Sequence, residues 1–83
     1  MDKLMKINIE YFAKLREERG CSSEVIETSA STVSEMYKLL QEKYKFSIPF
    51  ENLKVAINEN FSNWNEKIND NDTVVFIQPV AGG

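Results

Sequence analysis

The stretch that most restricts the fold runs from Thr32 to Tyr44. Thr32-Val33-Ser34-Glu35 has the pattern of a capping box: the threonine hydroxyl accepts from the N–H three residues on, and the glutamate reaches back. Behind it, Val33, Met36, Tyr37, Leu40 and Tyr44 recur at helical spacing, while Ser34, Lys38, Gln41, Glu42 and Lys45 fall largely elsewhere. The spacing predicts an α-helix with one apolar face, ending before Ile48-Pro49 because a residue that precedes proline is biased away from helix. Ala13-Lys14-Leu15-Arg16-Glu17-Glu18 is helix-prone but long enough for only a turn or two, with Gly20 as its stop. The apolar face of the main helix must therefore be buried against extended chain.

Extended segments are present on both sides of it. Met5 to Tyr11 alternates apolar and polar, which predicts a half-buried strand with Met5, Ile7, Ile9 and Tyr11 facing the core and Phe12 on the opposite parity. Ser22 to Thr28 reads as an outer strand whose serines and glutamates protect an edge. Lys54 to Asn58 reads as a third strand, with Asn58-Glu59-Asn60 as the turn after it. Phe61 and Trp64 stand in a polar stretch and are expected in irregular structure, one or both partly buried. Asn69-Asp70-Asn71-Asp72 is a turn in which Asn71 takes a positive φ and the two aspartates are solvated. Val74 to Ile77 is apolar on both parities, as a central strand would be.

The order strand, strand, helix, strand, irregular piece, strand predicts an α+β domain with a mixed sheet of four to five strands and one main helix packed on one face. The β-grasp arrangement satisfies it, with the first and last strands adjacent, central and parallel. Residues 1–83 read as a single domain, and 78–83 as its flexible C-terminal tail. A chain of this size buries a little over ~60% of its unfolded surface, so the core is modest.

The residues that are missing narrow the chemistry. With no histidine, His-based acid–base catalysis and the usual Cys/His zinc sites are excluded. The lone Cys21 cannot form an internal disulfide, and the sequence gives no cause for reactivity there, so it reads as an incidental free thiol. Glycine occurs only at 20, 82 and 83, so there is no phosphate-cradling loop. A net charge of −3 without a basic cluster argues against nucleic acid. The absence of a ~20-residue apolar run argues against a membrane span, and that of a signal-peptide h-region makes the cytoplasm the expected compartment.

One group remains that a partner could activate, the α-carboxylate of Gly83. ATP-dependent adenylation would give it a leaving group, and sulfur displacing AMP would leave a thiocarboxylate. Glycines suit that end because a tail without Cβ atoms can thread a narrow channel. Pro79 would hold its base extended and lower the entropy lost on insertion.

The ending Asn-Asp-Asn-Asp-Thr-Val-Val-Phe-Ile-Gln-Pro-Val-Ala-Gly-Gly resembles the close of the molybdopterin synthase small subunit family. So do Tyr11-Phe12-Ala13-Lys14-Leu15-Arg16-Glu17 near the start and Val55-Ala56-Ile57-Asn58-Glu59 in the middle, and the resemblance spans essentially the whole chain. Asn71 stands where the family usually has glycine, and Gln78 where it usually has a first proline, a glutamine reminiscent of the thiamine-pathway sulfur carrier. The resemblance implies a β-grasp sulfur carrier with no bound cofactor. Its terminal Gly83 would be adenylated by a ubiquitin-activating-type enzyme using ATP and converted to a thiocarboxylate. Pro79, Val80, Ala81 and Gly82 would thread the active site of the synthase large subunit, which supplies the catalytic residues. Sulfur would pass to cyclic pyranopterin monophosphate in molybdenum cofactor biosynthesis, with two carriers serving each product in a heterotetramer. Family positions for partner contact fall on Phe12, Phe61 and Ile77. The competing readings are a carrier for thiamine or tRNA thiolation, a ubiquitin-like modifier joined to lysines, and a plain interaction domain.

Overall fold

The computed structural model describes residues 4–79. Strand β1 (Met5–Tyr11) is followed by helix α1 (Ala13–Arg19), β2 (Ser23–Thr28), helix α2 (Val33–Tyr44), a 3-10 turn at Phe50–Asn52, β3 (Lys54–Ile57), β4 (Asn60–Ser62) and β5 (Thr73–Ile77). The strands form one sheet in the order β2-β1-β5-β3-β4. The central pair β1–β5 is parallel and the other pairs are antiparallel. The expected central, parallel placement of the first and last strands is what the chain adopts, and β2 is the expected edge.

The β1 alternation buries Ile7, Ile9 and Tyr11 beneath α2, where they meet Val74 and Phe76 of β5 and Val55 of β3. The helix contributes Val33, Met36, Tyr37 and Leu40, all buried, and Tyr44, which is half-buried. Tyr37 is the hub, with its ring centroid 5.0 Å from that of Phe76 and 5.7 Å from that of Trp64. Its hydroxyl donates to the Ile48 carbonyl at 2.6 Å, which satisfies the polar end of a buried ring. Burial, with Glu18 as a lesser contributor, pushes this phenol up to about 12.

Both ends of α2 are closed. Thr32 Oγ1 accepts from the Glu35 N–H at 3.3 Å, as the capping box predicts. The Val33 and Ser34 amides donate to the carbonyls of Glu66 and Trp64, so the 64–68 segment caps the helix from outside. At the far end Lys45 takes a left-handed φ of 59°. In α1, Gly20 at φ 86° donates to the Arg16 carbonyl, the expected stop. A left-handed step at Ala13 (φ 51°) turns the chain off β1, leaving Phe12 on one side of the sheet while Leu15 enters the core.

Two expectations need correction. Asn60, placed in the turn, and Phe61, expected in irregular structure, belong to strand β4, which pairs with β3 through Ile57↔Asn60, Ala56↔Phe61 and Val55↔Ser62. The connection is a two-residue hairpin loop in which Asn58 (φ 50°) and Glu59 (φ 72°) are both left-handed. Such a loop favours glycine at its second position, and glutamate there hides the signal. The second correction is Asp72, which is buried rather than solvated. Its carboxylate accepts from Asn58 Nδ2 at 2.9 Å and from the Asn69 N–H at 2.8 Å, tying the end of β3 to the start of β5. Asn71 has the expected positive φ, 71°.

Candidate docking face and carrier tail

Because strand side chains alternate, the face opposite α2 carries every second residue of the same strands, and no described helix covers it. One row runs across four strands by register: Glu10 of β1 beside Val75 of β5, Val75 beside Ala56 of β3, and Ala56 beside Phe61 of β4. The next position along β5 is Ile77, which pairs with Lys54. Phe12 lies one residue beyond the last β1–β5 pair, Tyr11↔Phe76, as Ile77 does in β5. Phe12, Phe61 and Ile77 therefore share one face, toward the end where the chain leaves β5. Phe61 is 72% exposed and Phe12 48%, while Ile77 is half-buried between its neighbours.

Phe61 and Trp64, three residues apart, end up with different roles. Trp64 packs on the core, stacked on Phe76 at 6.0 Å. Phe61 stands out from the edge strand beside a groove of about 380 Å³ lined by Leu53, Lys54, Val55, Ser62 and Trp64. A second groove, of about 270 Å³, lies beside Phe12 and is lined by Glu10 and Arg16 among others.

The tail starts from the centre of the sheet. Gln78 and Pro79 follow β5 directly, both exposed and outside any strand. The expectations for Val80, Ala81, Gly82 and Gly83 fall on residues outside those described.

The electrostatics elsewhere are structural. Glu24 of β2 takes a two-pronged contact from Arg19, at 2.9 and 2.8 Å, and a 2.6 Å hydrogen bond from the Tyr11 hydroxyl. The Arg19 hydrogen bonds, helped by Tyr11, hold the Glu24 carboxyl below the usual carboxylate range. Arg19 also lies 4.1 Å over the Tyr44 ring, so this cluster pins α1, β2 and α2 together. Cys21 is free and half-buried against the core. Among the described residues no group of three His, Cys, Asp or Glu side chains could hold a metal ion. No described helix is long and apolar enough to cross a membrane.

A mixed five-stranded sheet with parallel central strands and a helix across one face defines a ubiquitin-like β-grasp protein. The model of the ThiS family matches residues 9–83, so the chain belongs to that family of ubiquitin-fold sulfur carriers. It is 26% identical to the Pyrococcus furiosus protein assigned as molybdopterin converting factor subunit 1, over 92% of this chain and 99% of that one, with a TM-score of 0.74. It is 25% identical to a chain from the Helicobacter pylori complex of molybdopterin-converting factor subunits 1 and 2, over 95% of this chain and 100% of that one, with a TM-score of 0.64. The small archaeal modifier protein 1 of Methanosarcina acetivorans shares the fold, with 19% identity, coverage of 98% and 99%, and a TM-score of 0.77.

Strand parity sets Phe12 opposite the core residues of β1, whereas Ile77 is singled out by the family resemblance and falls on the open side because Val74 and Phe76 face α2. Sequence reasoning did not find Glu10 and Lys54 among the apolar residues of that face, although the same parity contains both. It also had no signal for the Trp64 and Glu66 carbonyls that close α2, since backbone acceptors leave no trace in side-chain identity.

Proposed function

We propose that this chain is the sulfur-donating subunit of molybdopterin synthase. The observation that carries the reading is the near end-to-end likeness to the Helicobacter pylori chain, which was solved as a protein–protein complex of subunits 1 and 2. In this reading an adenylating enzyme of the ubiquitin-activating type uses ATP to turn the Gly83 carboxylate into an acyl-adenylate, releasing pyrophosphate. Sulfur then displaces AMP and leaves a thiocarboxylate. The carrier docks on the large subunit through Phe12, Phe61 and Ile77, and residues 78–83 thread into the partner's active site. There sulfur passes from Gly83 to cyclic pyranopterin monophosphate, while the large subunit supplies the catalytic groups. Two properties of the chain support this route: an exposed apolar patch suited to a protein partner, and a tail whose last two residues have no side chains to obstruct a channel.

The test is reconstitution. Protein carrying a C-terminal thiocarboxylate, mixed with the large subunit and cyclic pyranopterin monophosphate, should yield molybdopterin; no product with a large subunit proven competent would overturn the reading. Deleting Gly83 should abolish transfer and leave the unfolding curve unchanged. Gln78 favours one other reading, a carrier for thiamine synthesis, and sulfur delivery into that pathway instead of to the pterin would establish it.

A further inference from the structure

The start of α1 runs against its own local preferences. Phe12 is the N-cap, and it has no side-chain acceptor to cap the helix. The first turn holds no acid but does hold Lys14, the wrong sign for the positive end of a helix dipole. The bond from the Arg16 N–H back to the Phe12 carbonyl is long, at 3.4 Å. Ala13 takes φ 51°, a left-handed conformation in which its Cβ crowds the following carbonyl.

The chain on either side leaves no slack. Tyr11 is buried, and its N–H donates to the Ser22 carbonyl at 2.8 Å. Leu15 lies in the core. Glu18 accepts from the Ser47 N–H at 3.0 Å and from the Ser47 hydroxyl at 2.6 Å, and Arg19 holds Glu24. Three residues, Phe12 to Lys14, are left to turn the chain from strand into helix without a loop.

The fold gains no packing from this strain. Ala13 is exposed, and Phe12 lies outside the core with no other aromatic ring against it among the described residues. Strain that packing does not offset is the kind that persists at functional positions. What the left-handed step does determine is the placement of Phe12, on the open face at the end where the chain leaves β5.

We infer that Ala13 is a positioning residue for docking: its left-handed step, held by the tethers of α1, presents the Phe12 ring to the partner in one preset direction. The inference rests on the large subunit being the protein that docks on the open face. Preset placement reduces the backbone and side-chain freedom lost on binding, so an exposed anchor keeps its affinity. Ala13 acts only through Phe12.

The test is a double-mutant cycle, with the full chain titrated into the synthase large subunit by calorimetry. Phe12→Ala should weaken binding by roughly tenfold or more. Ala13→Val, a β-branched residue that resists positive φ, should weaken it by roughly threefold to tenfold. The double variant should bind within about twofold of Phe12→Ala alone, because the step then has no ring to place. Ala13→Gly, which accepts the step, should bind within about twofold of wild type and melt about 2–8 °C higher. Wild-type affinity for Ala13→Val would overturn the inference. Losses that multiply in the double variant would overturn it too, and would leave the docking face standing. Wild-type affinity for Phe12→Ala would overturn both the inference and the assignment of Phe12 to the docking face. Thermal unfolding of each variant separates lost binding from lost fold, and Ala13→Leu, which resists positive φ less, completes the cycle if Ala13→Val does not fold.

Discussion

On the face that α2 covers, Ile7, Ile9, Tyr11, Val74 and Phe76 are at most 1% exposed and knit into an aromatic cluster around Tyr37. On the other face the same strands carry Glu10, Val75, Ile77 and Lys54, with Phe12 and Phe61 standing into solvent. Neighbouring residues of one strand thus belong to separate systems. Phe76 belongs to the core and Ile77 to the proposed docking surface, and only strand parity divides them. The separation lets the open face change without endangering the core, so its charge and shape can vary at little cost in stability.

The sharpest way to break the contrast is to cut into both faces of β5. Phe76→Ala should destabilise the domain by about 3–5 kcal/mol in urea unfolding, as large-to-small changes in a packed core do. A loss below 1 kcal/mol would mean that the covered face is not the source of stability. Ile77→Asp, one residue on, should cost about 1 kcal/mol or less in the same measurement, because it stays at the surface. It should nevertheless weaken binding to the large subunit by roughly tenfold to a hundredfold. Equal effects of the two substitutions on stability would erase the distinction between the faces.

A smaller effect is expected at the rim of the covered face. Glu24→Gln removes the carboxylate that holds Arg19 and Tyr11, and should cost about 1–2 kcal/mol at neutral pH, a value discounted because the pair is partly exposed. The folded Glu24 binds its proton less readily than an unfolded glutamate. Its contribution is therefore complete above the ordinary glutamate range and is lost as the pH falls through the lower folded value. The gap between wild type and Glu24→Gln should shrink in acid, and a gap independent of pH would show that the ion pair contributes nothing. The smallest change is Glu59→Gly in the β3–β4 loop. Glycine accepts φ 72° without strain and should raise stability by about 0.5–1 kcal/mol in thermal unfolding.

That last position also shows where reading the chain alone fell short. The capped helix, the alternation of β1 and the doubly apolar β5 were legible because each is a local pattern with a fixed period. Strand β4 was not, because it has three residues and its loop lacks the glycine that announces a hairpin. The site was half legible for the same reason. Parity set Phe12 opposite the core residues of β1, whereas the exposure of Phe61 depends on β4 pairing with β3, a contact between segments. Asp72 looked like one more turn residue until Asn58, fourteen positions earlier, supplied its partner.

The place of β5 has a mechanical consequence. Its residues pair with β1 over Asn8 to Tyr11 and with β3 over Lys54 to Ile57, and the chain leaves the strand at Gln78 and Pro79. An enzyme that tugs on the terminus pulls along the strand axis, nearly at right angles to the hydrogen bonds on either side. Both ladders then resist together in shear. The same pull at an edge with a single ladder would peel its bonds apart one after another. Under the proposed function, such a chain could be gripped and withdrawn by its end without being unravelled.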